Sequence, residues 1–261
     1  MSNHQTRFTV MGAGHGGKAM AAHLGLMGFD TSLYNRTFEH IAAIHELGGI
    51  DLVGYEGDKR EFGRLTRVTS NIEEALEGTD MVMVVVPSSA HAELAKGMAP
   101  YLKDGQIVVL HPGRTCGAIE VAKVLRENGC TADVIVAEAE TFIYASRSDG
   151  PAQARIFRLK EAVPIAALPA TRNKEVLDRI HEAYPQFIDG GNVLMTGMNN
   201  MGSIFHPALT LLNAGWIETT HGDYQFYIDG VSRSVARVLE VLDRERVTVG
   251  SALGLRARDA M

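Results

Sequence analysis

Apolar positions in the first half of the chain fall in short closed runs separated by polar, helix-compatible stretches. Phe8, Val10 and Met11 lead into a turn at Gly12, after which Ala19, Met20, Ala21 and Ala22 suit a helix; residues 29–34 read as a second strand. Residues 81–86 (MVMVVV) are apolar without interruption, the pattern of a parallel strand covered on both faces. Residues 106–110 and 134–137 repeat that pattern, with an amphipathic helix expected between them over 117–128. Asn71, followed by Glu73 and Glu74, predicts a capped helix start. Residues 49–68 depart from the rhythm: Ile50, Leu52, Phe62 and Leu65 are spaced as in a hairpin turning near Gly57-Asp58. Residues 154–170 predict two further strands around Val163-Pro164, the proline marking an edge or a break, and 174–184 a short helix. Strands alternating with helices predict an α/β fold with a Rossmann-type doubly wound sheet, its functional loops gathered at the carboxyl edge.

Beyond Gly190-Gly191 the period becomes helical. Ile204, Ala208, Leu211, Leu212, Gly215 and Trp216 recur near 3.6, and so do Val231, Val235, Val238, Leu239 and Leu242. We therefore expect a dinucleotide-binding domain over 1–190 and an all-α domain over 191–261. Neither helix can bury its stripe alone, so the two pack together or against the sheet. A second domain of this size is thin, and the expectation is that it is incomplete or shared with a partner subunit, a homodimer being the simplest form.

Composition changes this picture little. The 261 residues are 46% hydrophobic and 21% charged, with a formal net charge of −6 and no basic block, which argues against a nucleic-acid partner. Cys116 and Cys130 have no metal-ligand spacing, and no metal site is expected. The first residues, MSNHQTRF, lack the apolar core of a signal peptide, and no run reaches transmembrane length, so the cytoplasm is the expected location.

The candidate chemistry starts at GAGHGG. Gly12 permits the tight turn, Gly14 lets the backbone approach a pyrophosphate, and Gly17 lets helix pack on strand; His15 and Gly16 complete the loop. The helix N-terminus adds free amides and a partial positive charge. Where an NAD site commonly closes its second strand with a carboxylate, this chain has Asn35 and Arg36. An amide and a guanidinium suit a 2′-phosphate, so the charge pattern favours NADP over NAD; an Arg36 merely solvated or stacked on adenine leaves the choice open. A central strand ends at Pro87, a candidate cofactor contact, and Ser88 and Ser89 after it can face the nicotinamide half of the cofactor or cap the helix beginning near His91, two compatible roles. His91, His111 and His206 are the candidate proton carriers, His206 being placed at a helix start or kink because Pro207 follows it.

These motifs, GAGHGG, VVVPSSAH, HPGRTCGAIE and AEAETFIYASR, with GMNNMGSIFHPALTLLNAGWIE in the helical part, resemble the opine dehydrogenases of the octopine/nopaline type, within the 6-phosphogluconate dehydrogenase-like superfamily. The resemblance covers most of the chain. It implies reductive condensation of a 2-oxo acid with an amino acid or other amine, driven by NADPH or NADH, with His206 as the catalytic histidine. The Asp that orients this histidine in relatives has no identifiable equivalent here. Glu138, Thr141, Asn200 and Arg114 are the expected substrate contacts, with Arg147 a further carboxylate binder. Two other readings remain open: a 2-oxo or hydroxy acid reductase without amine condensation, and a non-catalytic NAD(P)-binding regulator. Hydroxy-acid relatives place a Lys shortly before an Asn pair; Met195-Thr196-Gly197-Met198 before Asn199-Asn200 contains none, which counts against the reductase.

Overall fold

The computed structural model describes residues 5–54 and 59–259, in two compact units, 1–196 and 197–261. The turn expected near Gly57-Asp58 lies outside the described residues.

The first unit begins with β1 (Phe8–Met11), α1 (His15–Leu26) and β2 (Thr31–Tyr34), followed by α2 (Ala42–Leu47), β3 (Gly49–Val53), β4 (Arg60–Arg64) and β5 (Arg67–Thr69). Next come α3 (Ile72–Leu76), β6 (Met81–Val84), α4 (His91–Met98), β7 (Ile107–Leu110), α5 (Gly117–Glu127) and β8 (Ile135–Ala139). The unit closes with β9 (Tyr144–Gly150), β10 (Gln153–Leu159), β11 (Val163–Leu168), α6 (Asn173–Ile180), β12 (Phe187–Asp189) and α7 (Val193–Met198), whose last two residues belong to the second unit.

Eight strands form the main sheet in the order β12-β11-β8-β7-β6-β1-β2-β5. Every neighbouring pair from β5 to β8 is parallel, with β1 between β2 and β6. This is the doubly wound arrangement that the alternation predicts, its switch point at β1. The uninterrupted apolar run has its cause in the packing. Met81, Val82 and Met83 are fully buried and Val84 nearly so, because helices or strands cover both faces. Asn71 caps α3 as expected, its side chain accepting from the Glu73 and Glu74 amides.

Three features depart from the sequence reading. First, β3 and β4 do pair antiparallel, but with β9 and β10 they build a separate four-stranded sheet, order β4-β3-β10-β9. α1 packs between this sheet and the main one, which is why its small residues Ala19, Ala21 and Ala22 are buried all round. Second, Pro164 marks neither an edge nor a break. It lies within β11, flanked by β8 and β12, one residue beyond the last β8 pair, Ile165 with Ala139, where the ladder ends and its missing N–H removes no bond. Its carbonyl still accepts from the Glu140 amide at 2.8 Å. Third, the compact units divide six residues later than Gly190-Gly191, because Val193 packs in the core of the first unit and Thr196 bonds to Glu138 there.

In the second unit, α8 (Gly202–Leu212), α9 (Ala214–Thr220) and α10 (Arg233–Ala252) follow. The expected packing of the two stripes on each other is present: Ile204, Ala208 and Leu209 meet Val235 and Leu239. Leu211, Leu212, Trp216 and Val238, expected in those stripes, are exposed instead. The first helical pattern is broken at Asn213, whose side-chain amide donates to the Leu209 and Gly230 carbonyls at 2.9 and 3.0 Å. α8 does not start at Pro207; it begins at Gly202 and runs through the proline. Ser203, whose carbonyl loses its helical donor to Pro207, is exposed to water.

Among the described residues no helix is long and apolar enough to cross a membrane.

Candidate functional site

The glycine loop is sterically compelled. Gly12 has φ +111°, and a Cβ there would stand 2.6 Å from the Val85 carbonyl oxygen. A Cβ on Gly17 would stand 1.8 Å from the Gly12 oxygen, so no side chain fits where α1 rises beside β1. Gly14 is the opposite case: nothing lies within 4 Å of its missing Cβ, and the space in front of the α1 N-terminus is open. Tight glycines behind and an open one in front make the cradle that a pyrophosphate needs, with the helix end supplying donors and partial positive charge.

Beside the loop lies a cavity of about 380 Å³ whose lining includes Gly12, Tyr34, Asn35, Arg36, Pro87 and Glu93. It occupies the carboxyl edge between β2 and β6, where a doubly wound sheet binds the adenosine half of a dinucleotide. Loop and cavity together fit such a cofactor.

The predicted cofactor residues gather here with different duties. Asn35 accepts from the Ala13 amide at 3.2 Å and donates to the Thr37 carbonyl at 2.9 Å, so it ties the glycine turn to the end of β2. Arg36 bonds both carboxylate oxygens of Glu93 at 2.8 Å. His15 accepts the Ser148 amide on Nδ1 at 2.9 Å, which leaves its proton on Nε2 when neutral. Pro87 lines the cavity, while Ser88 and Ser89 are exposed and neither hydroxyl caps α4. Phe142 stands over Gly16: a Cβ there would come 2.8 Å from its ring.

Two of the three candidate histidines are buried in the first unit. His111 packs on Phe187 and burial pushes its pKa down to about 3; burial likewise lowers that of His91. Both are neutral imidazoles near pH 7, which removes them as acids for a reacting group.

Glu138 requires a correction. It is fully buried, its Oε1 accepting from the Thr196 hydroxyl at 2.7 Å and its Oε2 from the Ala118 amide at 2.8 Å. Burial raises its pKa to about 7, against the pull of those two bonds. With both oxygens engaged inside the domain, Glu138 joins β8, α5 and α7 rather than meeting a substrate. Thr141, just past β8, accepts from Lys160 Nζ at 2.7 Å. Burial lowers the pKa of Lys160, with Glu140 opposing. Lys160 is a residue that no local pattern singles out. Arg114 is exposed with φ 61° on the β7–α5 loop, and Arg147 is exposed on β9, in the smaller sheet.

In the second unit His206 is exposed on α8 and lines an open cavity of about 280 Å³ with Met201, Gly202, Phe205 and Tyr227. Its ring centroid lies 6.1 Å from that of Tyr227. Asn200 is buried ahead of the helix, its carbonyl accepting the Ser203 hydroxyl at 2.7 Å. The segment is anchored by Arg246, which bonds buried Asp243 through Nε at 2.9 Å and the Met198 carbonyl at 2.7 Å. That pair is invisible in the helical pattern, since both residues sit among the apolar positions of α10.

Two families match separate parts of the chain. Residues 189–261 match the family of the NAD/NADP octopine/nopaline dehydrogenase alpha-helical domain, and residues 7–113 the NAD-dependent glycerol-3-phosphate dehydrogenase N-terminus. The chain is 34% identical over 250 residues to an opine dehydrogenase of Arthrobacter sp. (strain 1C), covering 95% of this chain and 68% of that protein. It superposes on octopine dehydrogenase solved with NADH and L-arginine at a TM-score of 0.76 and 20% identity, covering 95% of this chain and 64% of that one. It superposes on yersinopine dehydrogenase with NADP+ bound at a TM-score of 0.81 and 15% identity, covering 97% and 66%. The chain thus spans about two thirds of the length of these relatives.

Proposed function

Because the chain belongs to the opine dehydrogenase family of NAD(P)-dependent oxidoreductases, we propose that it takes part in the reductive condensation of a 2-oxo acid with an amine, most simply pyruvate with an amino acid. The observation that carries this reading is the pairing of a nucleotide cradle left open only at Gly14 with a family helical domain that presents His206 beside a cavity. Condensation joins the amine nitrogen to the oxo carbon and releases water; reduction adds hydride to that carbon and a proton to the nitrogen.

The glycine loop, Arg36 and Pro87 would hold the cofactor, and when bound it supplies the hydride. His206 holds the proton: as imidazolium it polarises the C=N nitrogen while hydride reaches carbon, and in the oxidative direction it takes the proton back. Tyr227 and Phe205 flank its ring at the open cavity, the Tyr227 ring centroid 6.1 Å away. Thr141, Asn200 and Arg114 remain our candidates for contacts to the oxo acid and the amine, with Lys160 added as a cation for a carboxylate.

We further infer a cytoplasmic enzyme acting as a homodimer. Exposed Leu211, Trp216 and Ile228 supply apolar surface suited to a subunit contact.

Oxidation of NADPH and of NADH is followed with pyruvate alone and then with a panel of amino acids. Turnover that requires the amine supports the reading. Turnover on the oxo acid alone replaces it with a simple reductase, and cofactor binding without turnover replaces it with a regulator.

A further inference from the structure

Arg36 follows β2, and Glu93 stands in the first turn of α4, 57 residues later. Their side chains meet through both carboxylate oxygens at 2.8 Å, and both line the cavity that also contains Gly12 and Pro87. A dinucleotide fold ordinarily has an acidic group at the end of its second strand, where it accepts from a ribose hydroxyl. In this chain that position is Asn35, and its amide is already committed to the Ala13 amide and the Thr37 carbonyl.

We propose that Glu93, reaching the same place from α4, is a coenzyme-selectivity residue: it neutralises Arg36 and supplies the missing carboxylate, holding the site back from favouring a 2′-phosphate. The proposal rests only on the nucleotide-binding part of the function above and not on the reaction.

Arg36 alone would attract the 2′-phosphate of NADP through bidentate hydrogen bonds. The ion pair is 74% and 66% exposed in its two side chains, so it is weak and a phosphate can displace it. Displacement leaves the Glu93 carboxylate beside a group of like charge, and NADP then binds at a cost that NAD escapes. The 2′-hydroxyl of NAD instead finds an acceptor in Glu93. Selectivity is therefore set by two residues of opposite sign on two elements, and Arg36 by itself overstates the preference for NADP.

The test measures affinity of the whole chain for adenosine 2′,5′-bisphosphate and for 5′-AMP by titration calorimetry, in the parent, in Glu93→Gln and in the R36Q/E93Q double variant. The ratio of bisphosphate to 5′-AMP affinity should rise about fivefold in Glu93→Gln, the scale of an exposed ion pair. In the double variant that gain should vanish. A ratio that stays level or falls in Glu93→Gln overturns the proposal, as does a gain that persists without Arg36. A parent chain that binds neither nucleotide overturns it together with the nucleotide site. Because no turnover is measured, failure of the opine reading leaves the result intact.

Discussion

Replacement of Glu138 by Gln should stabilise the protein strongly at pH 8 and only slightly at pH 5. Glu138 is fully buried, and burial raises its pKa from the ordinary carboxyl value of 4.5 to about 7. Below pH 4.5 the carboxyl is protonated both folded and unfolded and costs nothing. Between 4.5 and 7 the unfolded chain ionises freely while the folded chain keeps its proton, so the native state binds more protons and stability falls as pH rises. The loss is complete above pH 7 and amounts to on the order of 3 kcal/mol. Gln keeps the shape. Its oxygen can still accept the Ala118 amide, and its amide can donate to the Thr196 hydroxyl, so the contacts survive while the ionisation disappears. Urea unfolding at half-unit steps from pH 5 to 8 reads the difference between parent and variant, in which the other titrating groups cancel. A difference that stays level across this range, or a variant less stable at pH 8, refutes the reasoning.

Gly17→Ala should lower both stability and affinity for 5′-AMP, because a Cβ 1.8 Å from the Gly12 oxygen forces α1 off β1. Thermal unfolding should report a loss of about 1–3 kcal/mol or more. His206→Asn should reduce amine-dependent turnover by about 10²- to 10⁴-fold, the range for a lost acid–base group, with nucleotide affinity kept; steady-state kinetics that remain at the parent level remove the assignment. Asp243→Ala removes the carboxylate partner of buried Arg246 and leaves it only carbonyl contacts, which should cost about 3–5 kcal/mol, whereas Asp243→Leu with Arg246→Met should recover part of it. Denaturant midpoints that fall equally in both variants count against a buried-charge origin.

Patterns carried by neighbouring residues were legible in the sequence. The apolar run at Met81–Val84, the cap at Asn71 and the three glycines at 12, 14 and 17 each state a local requirement, of covering, of amide satisfaction or of clearance, and the structure meets each. The period of 3.6 in the helical unit identified Ile204, Ala208, Val235 and Leu239 among the packed positions, and missed Leu209. The smaller sheet was only half legible. β9 reads YASRSDG, exposing Ala145, Arg147 and Asp149 in alternation and lacking the apolar density that marks a buried strand.

What the sequence by itself determined, then, is a dinucleotide fold and its phosphate cradle, since those rest on backbone sterics within a few residues of one another. Only tertiary structure decided which charged groups are free to act. His91 and His111 look available beside strand ends, yet packing buries both and holds them neutral. Glu138 looks like a ligand for substrate, yet a hydroxyl 58 residues away and a helix amide take up both its oxygens. Arg36 reads as a free cation until α4 sets Glu93 against it. The ionisation and availability of a side chain depend on burial and on partners distant in sequence, and only the folded chain brings them together.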